Sequence, residues 1–274
     1  MTADKVAAHY THGSLMEVIL GKLEEAGVAL DGLTAHDLAS LDHLHGRGRE
    51  ATDEMIARLQ PEAGRHVIDI GCGLGGPARY VATVTGARVT GIDLTPEFIE
   101  VARALADMTG LADVTEFTVG NALDLPFADA AFDAGYTQNV SMSVPDKARF
   151  FAEAARVLRP GARFVAGEVA QGPGGDILYP VPWAMTAEIS HLTTPEETAA
   201  ILEDAGFHVE ARHDSTDKAL VYNQAARERA KEHGPPILSP LIVLMEQGLE
   251  RMRNSARNVE QHRAIPIEFV CIRA

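Results

Sequence analysis

Along the chain, short apolar runs rich in β-branched residues alternate with longer stretches whose apolar positions recur every three or four residues. The runs 66–70, 87–92, 114–119, 132–137 and 162–169 read as strands. Between them, 78–86, 95–110 and 146–161 carry helical spacing; in the last, Phe150, Phe151, Ala154, Val157 and Leu158 form one stripe, which stops at Pro160-Gly161. Thr95 is placed to cap its helix, with Pro96 in the first turn, Glu97 complementing the dipole and Gly110 as the stop. A further helix spans 193–206, with Thr194 and Glu197 as a capping box and Gly206 as its end. A sixth strand follows at 207–213, a charged helical stretch at 217–262 and a seventh strand at 265–272. Residues 1–60 carry no strand signal. Leu15, Val18, Ile19 and Leu23 share one face of a helix, 49–59 forms another, and the polar segment 41–49 lies between them. This alternation predicts a doubly wound α/β fold with a seven-stranded, mostly parallel sheet. Residues 1–60 form a helical extension that serves as a lid, and 61–274 form the main domain with a helical insertion at 217–262.

Composition narrows the partners. Hydrophobic residues make up 46% of the 274, enough for a sizeable core. Asp and Glu number 39 against 24 Lys and Arg, a formal charge of −15, which repels phosphate backbones and argues against nucleic acid. A small anionic substrate held by a local basic pocket is still compatible with that field. Cys72 and Cys271 have neither metal-ligand spacing nor the density of a disulfide framework, and Cys72 reads as a small filler. Residues 1–14 lack the charged-then-apolar pattern of a leader, and no apolar run approaches the ~20 residues of a membrane span. The expectation is a soluble, cytoplasmic protein with no membrane partner and no resident metal, and with room for a homo-oligomer.

The densest chemical signal is "VIDIGCGLGG" at 67–76, with four glycines within six residues directly after a strand. Such density is costly unless the backbone must turn sharply or let a ligand approach. Gly71, Gly73 and Gly76 match the G-x-G-x-x-G pattern between a strand and a helix, a site for nucleotide cofactors. Asp93, ending the next strand, is placed to accept both hydroxyls of a ribose. These features alone leave a nicotinamide dinucleotide and S-adenosylmethionine both open.

The stretch 67–76, with Asp69 two residues before the first glycine, resembles the first motif of the class I S-adenosylmethionine-dependent methyltransferases. The resemblance continues in order through "GIDLTPEFIEVA", "GNALDLPFADAAFD" and "RVLRPGARFVAGEV", over roughly residues 40–210. It is similar to the branch that includes sarcosine/dimethylglycine and tocopherol-type methyltransferases, and "LHGRGREAT" (44–52) matches that branch's leading segment, with His45 at its histidine. The resemblance implies a Rossmann-like fold and S-adenosyl-L-methionine as cofactor, with S-adenosyl-L-homocysteine as product. It implies that Asp69, Gly71, Gly73 and Gly75 hold the methionine part, that Asp93 takes the ribose, and that Leu94 lies against the adenine. Asn121 and Ala122 flank the adenine where the family often has Asp, and Gln138 faces the amino-acid end of the cofactor or the methyl group. Pro160-Gly161-Ala162 replaces the family's frequent Pro-Gly-Gly.

Methyl transfer is an in-line displacement in which the protein aligns, excludes water and sets the acceptor's protonation state. Candidate bases are His45, Glu168 at the carboxyl edge of the sheet, and His191. His43, Arg47, Tyr179 and Trp183 are candidate acceptor contacts, with Arg47 and Arg49 able to take an anionic group and the aromatics able to wall a pocket or cage an amine. The expected activity is methyl transfer to nitrogen, oxygen or carbon of a small molecule. A nicotinamide-dependent oxidoreductase and a non-catalytic S-adenosylmethionine-binding protein are the alternatives.

Overall fold

The structure, a computed structural model, describes residues 13–244 and 247–274. The reading of residues 1–14 as no leader therefore lies, but for its last two positions, outside the described residues. The sheet runs β1 (His66–Ile70), β2 (Arg88–Asp93), β3 (Thr115–Val119), β4 (Phe132–Gln138), β5 (Leu158–Gln171), β6 (Phe207–Asp214) and β7 (Ala264–Arg273). Across it the order is β3-β2-β1-β4-β5-β7-β6. β1 to β5 pair in parallel, while β7 runs antiparallel to both β5 and β6. The expected seven-stranded, mostly parallel α/β sheet is therefore observed. Its chain order reverses between β1 and β4, the crevice where open α/β sheets bind ligands.

The helices are α1 (Leu15–Glu25), α2 (Ala35–Asp42), α3 (Arg49–Leu59), α4 (Gly76–Thr85), α5 (Pro96–Met108), α6 (Lys147–Val157), α7 (Pro195–Asp204), α8 (Thr216–His233), α9 (Leu241–Leu244) and α10 (Gly248–Glu260). Parallel strands buried on both faces need apolar side chains on both sides. Ile68 and Ile70 pack with Phe150, Phe151 and Phe164 on one face, and Val67 packs with Met55, Leu59 and Val81 on the other. Met55 and Leu59 make α3 a layer of the sheet rather than a free cap. Leu15, Ile19, Leu23, Leu38 and Leu41 of α1 and α2 share a third cluster with Phe98 and Leu105 of α5 and Ile242 and Val243 of α9. The N-terminal helices and the late helical stretch thus meet over the same edge of the sheet.

Three local expectations change. Thr95 makes no side-chain cap; its backbone N–H instead donates to Asp93 Oδ1 at 2.9 Å. The helix expected over 146–161 ends at Val157, because Leu158 already pairs with Phe132 and the strand carries the turn as an irregularity in its ladder. The stretch 217–262 is interrupted after His233, where Gly234, with φ 78°, precedes Pro235 and Pro236. The capping box of Thr194 and Glu197 forms as expected.

Candidate active site

A cavity of about 1320 Å³ opens at the carboxyl edge of the parallel strands. Its floor is set by successive strand ends: Gly71 and Gly73 after β1, Asp93 closing β2, Asn121 after β3, Gln138 closing β4 and Glu168 near the end of β5. Sequence spacing alone cannot bring these together; the parallel register does.

The glycine loop divides into two parts. Gly71 and Gly73 have φ of 81° and 53° and line the cavity. A Cβ on Gly71 would sit 2.3 Å from a Val140 methyl, whereas one on Gly73 would meet nothing nearer than Leu44 at 3.4 Å. Gly73 is therefore the open face of the cradle. Gly75, expected at the cofactor, is a correction: it lies off the cavity, N-caps α4 with φ 73°, and is needed because a Cβ would strike the Phe117 ring at 2.5 Å. Cys72 is buried in the loop, and burial pushes its thiol well above the usual range, in keeping with a filler.

Asp69 is buried, and its Oδ2 accepts the Tyr136 hydroxyl at 2.9 Å. Burial pushes this carboxyl up to about 7 against the pull of that bond. Asp93 Oδ2 accepts the Gly73 N–H at 3.0 Å while Oδ1 accepts Thr95 N–H, so one carboxylate ties the glycine loop to the start of α5. Leu94 and Ala122 line the cavity. Asn121 also lines it, but its Oδ1 accepts the Leu123 N–H at 2.9 Å. The Asn121 side-chain oxygen thus holds the turn that follows β3. Gln138 Oε1 is buried with no partner among the described residues.

At β5, Glu168 is 4% exposed. Ser141 Oγ donates to its Oε2, and Lys147 Nζ donates to the Ser141 carbonyl and, at 3.1 Å, to Ser141 Oγ. Glu168 Oε1 is buried with no partner among the described residues. Burial raises the Glu168 carboxyl to about 7 against the pull of Lys147 and Ser141.

The segment 41–49 forms part of the wall, and here the structure corrects several expectations. His43 and His45 share the Thr52 hydroxyl, at 3.0 Å from His43 Nδ1 and 3.1 Å from His45 Nε2, and His45 Nδ1 lies 3.3 Å from the Gly46 carbonyl. That carbonyl can only accept, so His45 carries its proton on Nδ1 and receives the Thr52 hydroxyl on Nε2; His43 Nδ1–H then donates to Thr52. Burial holds the two rings down to about 3 and about 4, and with both nitrogens engaged His45 has no free lone pair for a substrate proton. Arg47 donates to both oxygens of Glu54, at 2.9 and 3.2 Å, so its fork is engaged by a carboxylate that Arg58 and Lys218 also share. Arg49 pairs with His36 at 2.7 Å.

His191 and Tyr179 do not line the cavity, and His191 Nε2 is buried with no partner among the described residues. The His191 backbone N–H donates to the Met142 carbonyl at 2.7 Å, and Tyr179 packs against the cluster of Met142, Val181 and Trp183. Trp183 does line the cavity, fixed by its Nε1–H to Ser190 Oγ at 2.9 Å.

Sequence reading passed over Tyr136, Ser141, Lys147, Thr52 and the buried pair of Arg79 with Asp42 at 2.7 Å. Tyr136 was within reach, since it pairs directly with Asp69 once β4 is laid beside β1. Lys147 had no signal, because a lysine in the first turn of an amphipathic helix ordinarily faces water.

Comparison with known proteins accords with this site. The profile of the methyltransferase domain family matches residues 68–166. The chain is 30% identical over 226 residues to methyltransferase GfsG of Streptomyces halstedii, covering 80% of this chain and 77% of that protein. It is 31% identical over 199 residues to the 27-O-demethylrifamycin SV methyltransferase of Amycolatopsis mediterranei (strain S699), covering 66% and 71%. The solved geranyl diphosphate C-methyltransferase of Streptomyces coelicolor A3(2) superposes with a TM-score of 0.71 over 100% of this chain and 98% of that one, and at 17% identity this is a likeness of fold. The ordered motifs, the glycine cradle at the switch point and relatives that match over most of their own length together show that the chain belongs to the class I S-adenosylmethionine-dependent methyltransferases.

Proposed function

We propose that this protein methylates a hydroxyl group of a small molecule, with S-adenosylmethionine as donor and Glu168 as the general base. The residues present fit that donor. Gln138 Oε1, buried with no partner among the described residues, is suited to an ammonium group, and the Asp93 carboxylate, held by the Gly73 and Thr95 N–H groups and further by Leu94 and the Thr95 side chain, lines the cavity where a ribose would lie. Gly73 leaves its backbone open to a close approach. When bound, the cofactor supplies an activated sulfonium methyl.

The single observation that carries the choice of a hydroxyl is Glu168. Its Oε2 is pinned by Ser141 and its Oε1 is buried with no partner among the described residues. A neutral amine needs no base, whereas a hydroxyl must lose its proton as the carbon–oxygen bond forms. The acceptor oxygen's lone pair forms that bond, the carbon–sulfur bond breaks with its electron pair left on sulfur, and the hydroxyl proton passes to Glu168 Oε1. A carboxylate with its pKa near 7 matches that work at neutral pH.

The test is incubation of the protein and deuteromethyl-labelled S-adenosylmethionine with a metabolite extract, followed by mass spectrometry and NMR of the labelled product. A labelled methyl on oxygen in the small-molecule fraction is expected. Label only on nitrogen or carbon, or only in RNA or protein, would overturn the reading.

A further inference from the structure

Helix α10 presents a buried polar side to the protein and a mainly apolar side to the cavity, where Arg253 and Ser255 flank it. Arg251, Asn254 and Asn258, spaced three and four apart, are all buried. Arg251 donates to the carbonyls of Val181, Leu244 and Pro182, and Asn254 to that of Pro180 at 3.0 Å. Asn258 brackets Leu178, accepting its N–H at 2.9 Å and donating to its carbonyl at 3.1 Å. These bonds fix the rotation of α10 about its axis. The opposite stripe, Leu249, Met252, Ala256 and Val259, lines the cavity, and Leu249 and Met252 stand 54% and 42% exposed. Buried polar and exposed large apolar groups on one helix are the reverse of what folding alone selects. Across the cavity, α8 lines the same space with Ala226 and Ala230 together with Tyr222, Asn223, Arg227 and Lys231.

The size of the space points the same way. A drug-sized ligand fills a pocket of about 300–1,000 Å³. The cavity, at about 1320 Å³, has room for the cofactor and a second molecule of that size, and the stripe is continuous with the part that holds Glu168 and Trp183. Resting on the hydroxyl-methylation reading above, we infer that the acceptor is a bulky, largely apolar hydroxyl compound, a polycyclic or long-chain skeleton. It lies along Leu249, Met252, Ala256 and Val259 with its hydroxyl turned to Glu168. Burying that stripe is then part of acceptor binding, and a compact polar metabolite would leave it wet.

Trp183, the one tryptophan of the chain, lies on the wall of this space and reports its occupancy by fluorescence. The protein saturated with S-adenosylhomocysteine is titrated with phenol and with 4-nonylphenol, as wild type and as Met252→Asp, a change at an exposed position; Leu249→Asp serves as the second variant. 4-Nonylphenol is expected to bind at least about tenfold more tightly than phenol, and the variants to erase most of that ratio while binding S-adenosylhomocysteine as the wild type does. Equal affinity for the two phenols, or an unchanged ratio in both variants, would overturn the inference. So would a sedimentation shift from dimer to monomer on Met252→Asp, since it would give the stripe to a second copy of the chain. Loss of S-adenosylhomocysteine binding by the wild type would instead strike the methyltransferase reading and not the stripe, so the two failures are distinguishable.

Discussion

The Ser141 hydroxyl donates to Glu168 Oε2, and the Lys147 ammonium donates to that same hydroxyl oxygen at 3.1 Å. This chain orients the carboxylate near the end of β5, and Oε1, buried with no partner among the described residues, is the oxygen proposed to take the acceptor's proton. Turnover is therefore expected to rise with pH through a group near 7, as Glu168 loses its proton. Lys147→Met removes the cation that pulls this carboxyl down and is expected to move that limb to higher pH. A pH profile of kcat/KM that is flat from 5 to 9, on an order-of-magnitude view of such profiles, would count against the base.

The same carboxyl has a stability signature. Its folded pKa, about 7, lies above the ordinary glutamate value of 4.5, because burial disfavours the charged form. A raised carboxyl contributes stability that is fully present below the unfolded pKa and lost as pH rises through the folded one. Across that window Glu168→Gln is expected to gain Tm relative to the wild type, with the difference levelling above pH ~7. A pH-independent difference would mean that Glu168 titrates normally.

Gln138 has a buried acceptor with no partner among the described residues. Gln138→Leu is expected to weaken S-adenosylhomocysteine binding by about 1.5–3 kcal/mol, the usual worth of a hydrogen bond to a charged group. Calorimetric titration checks this, and an unchanged affinity would place the amino-acid end of the cofactor elsewhere.

The two halves of the glycine loop separate by substitution. Gly73→Ala points a methyl into open cavity, with Leu44 as its one neighbour at 3.4 Å; its left-handed backbone, φ 53°, costs about 1–2 kcal/mol of stability, and cofactor affinity of the folded protein is expected to fall as well. Gly75→Ala drives a methyl against Phe117, away from the cavity, and is expected to cost about 1–3 kcal/mol of stability while the folded fraction still binds cofactor. Denaturant unfolding and cofactor titration of both variants test the division.

Much of this was legible from the chain. Strand-helix alternation carried the sheet, and the glycines with Asp69 and Asp93 carried the cofactor edge. The rest depended on contacts between distant residues. Nothing local tells that Lys147 turns inward to Ser141, that Thr52 occupies both His43 and His45, or that Glu54 engages Arg47. Histidine and arginine in a polar segment look equally available whether or not a partner from the next helix meets them. α10 defeated the pattern for a different reason: its apolar stripe is real, but it faces a cavity and not the core.

Asp42 and Arg79 form a fully buried ion pair at 2.7 Å that ties the end of α2 to α4. Asp42→Ala would strand the guanidinium in the interior, and such truncations cost about 3–5 kcal/mol. Urea unfolding is expected to show a loss of that order, and one below about 1 kcal/mol would mean that water reaches Arg79.

The most direct measurement compares wild type and Glu168→Gln for transfer of a labelled methyl into the small-molecule fraction of a metabolite extract, with S-adenosylhomocysteine affinity determined on the same samples. The expected result is an O-methylated product from the wild type, cofactor affinity retained in the variant, and a rate lower by about 10²–10⁴-fold, the usual range for a lost general base. Equal rates in the two proteins, or a labelled methyl carried on nitrogen or carbon, would contradict the account.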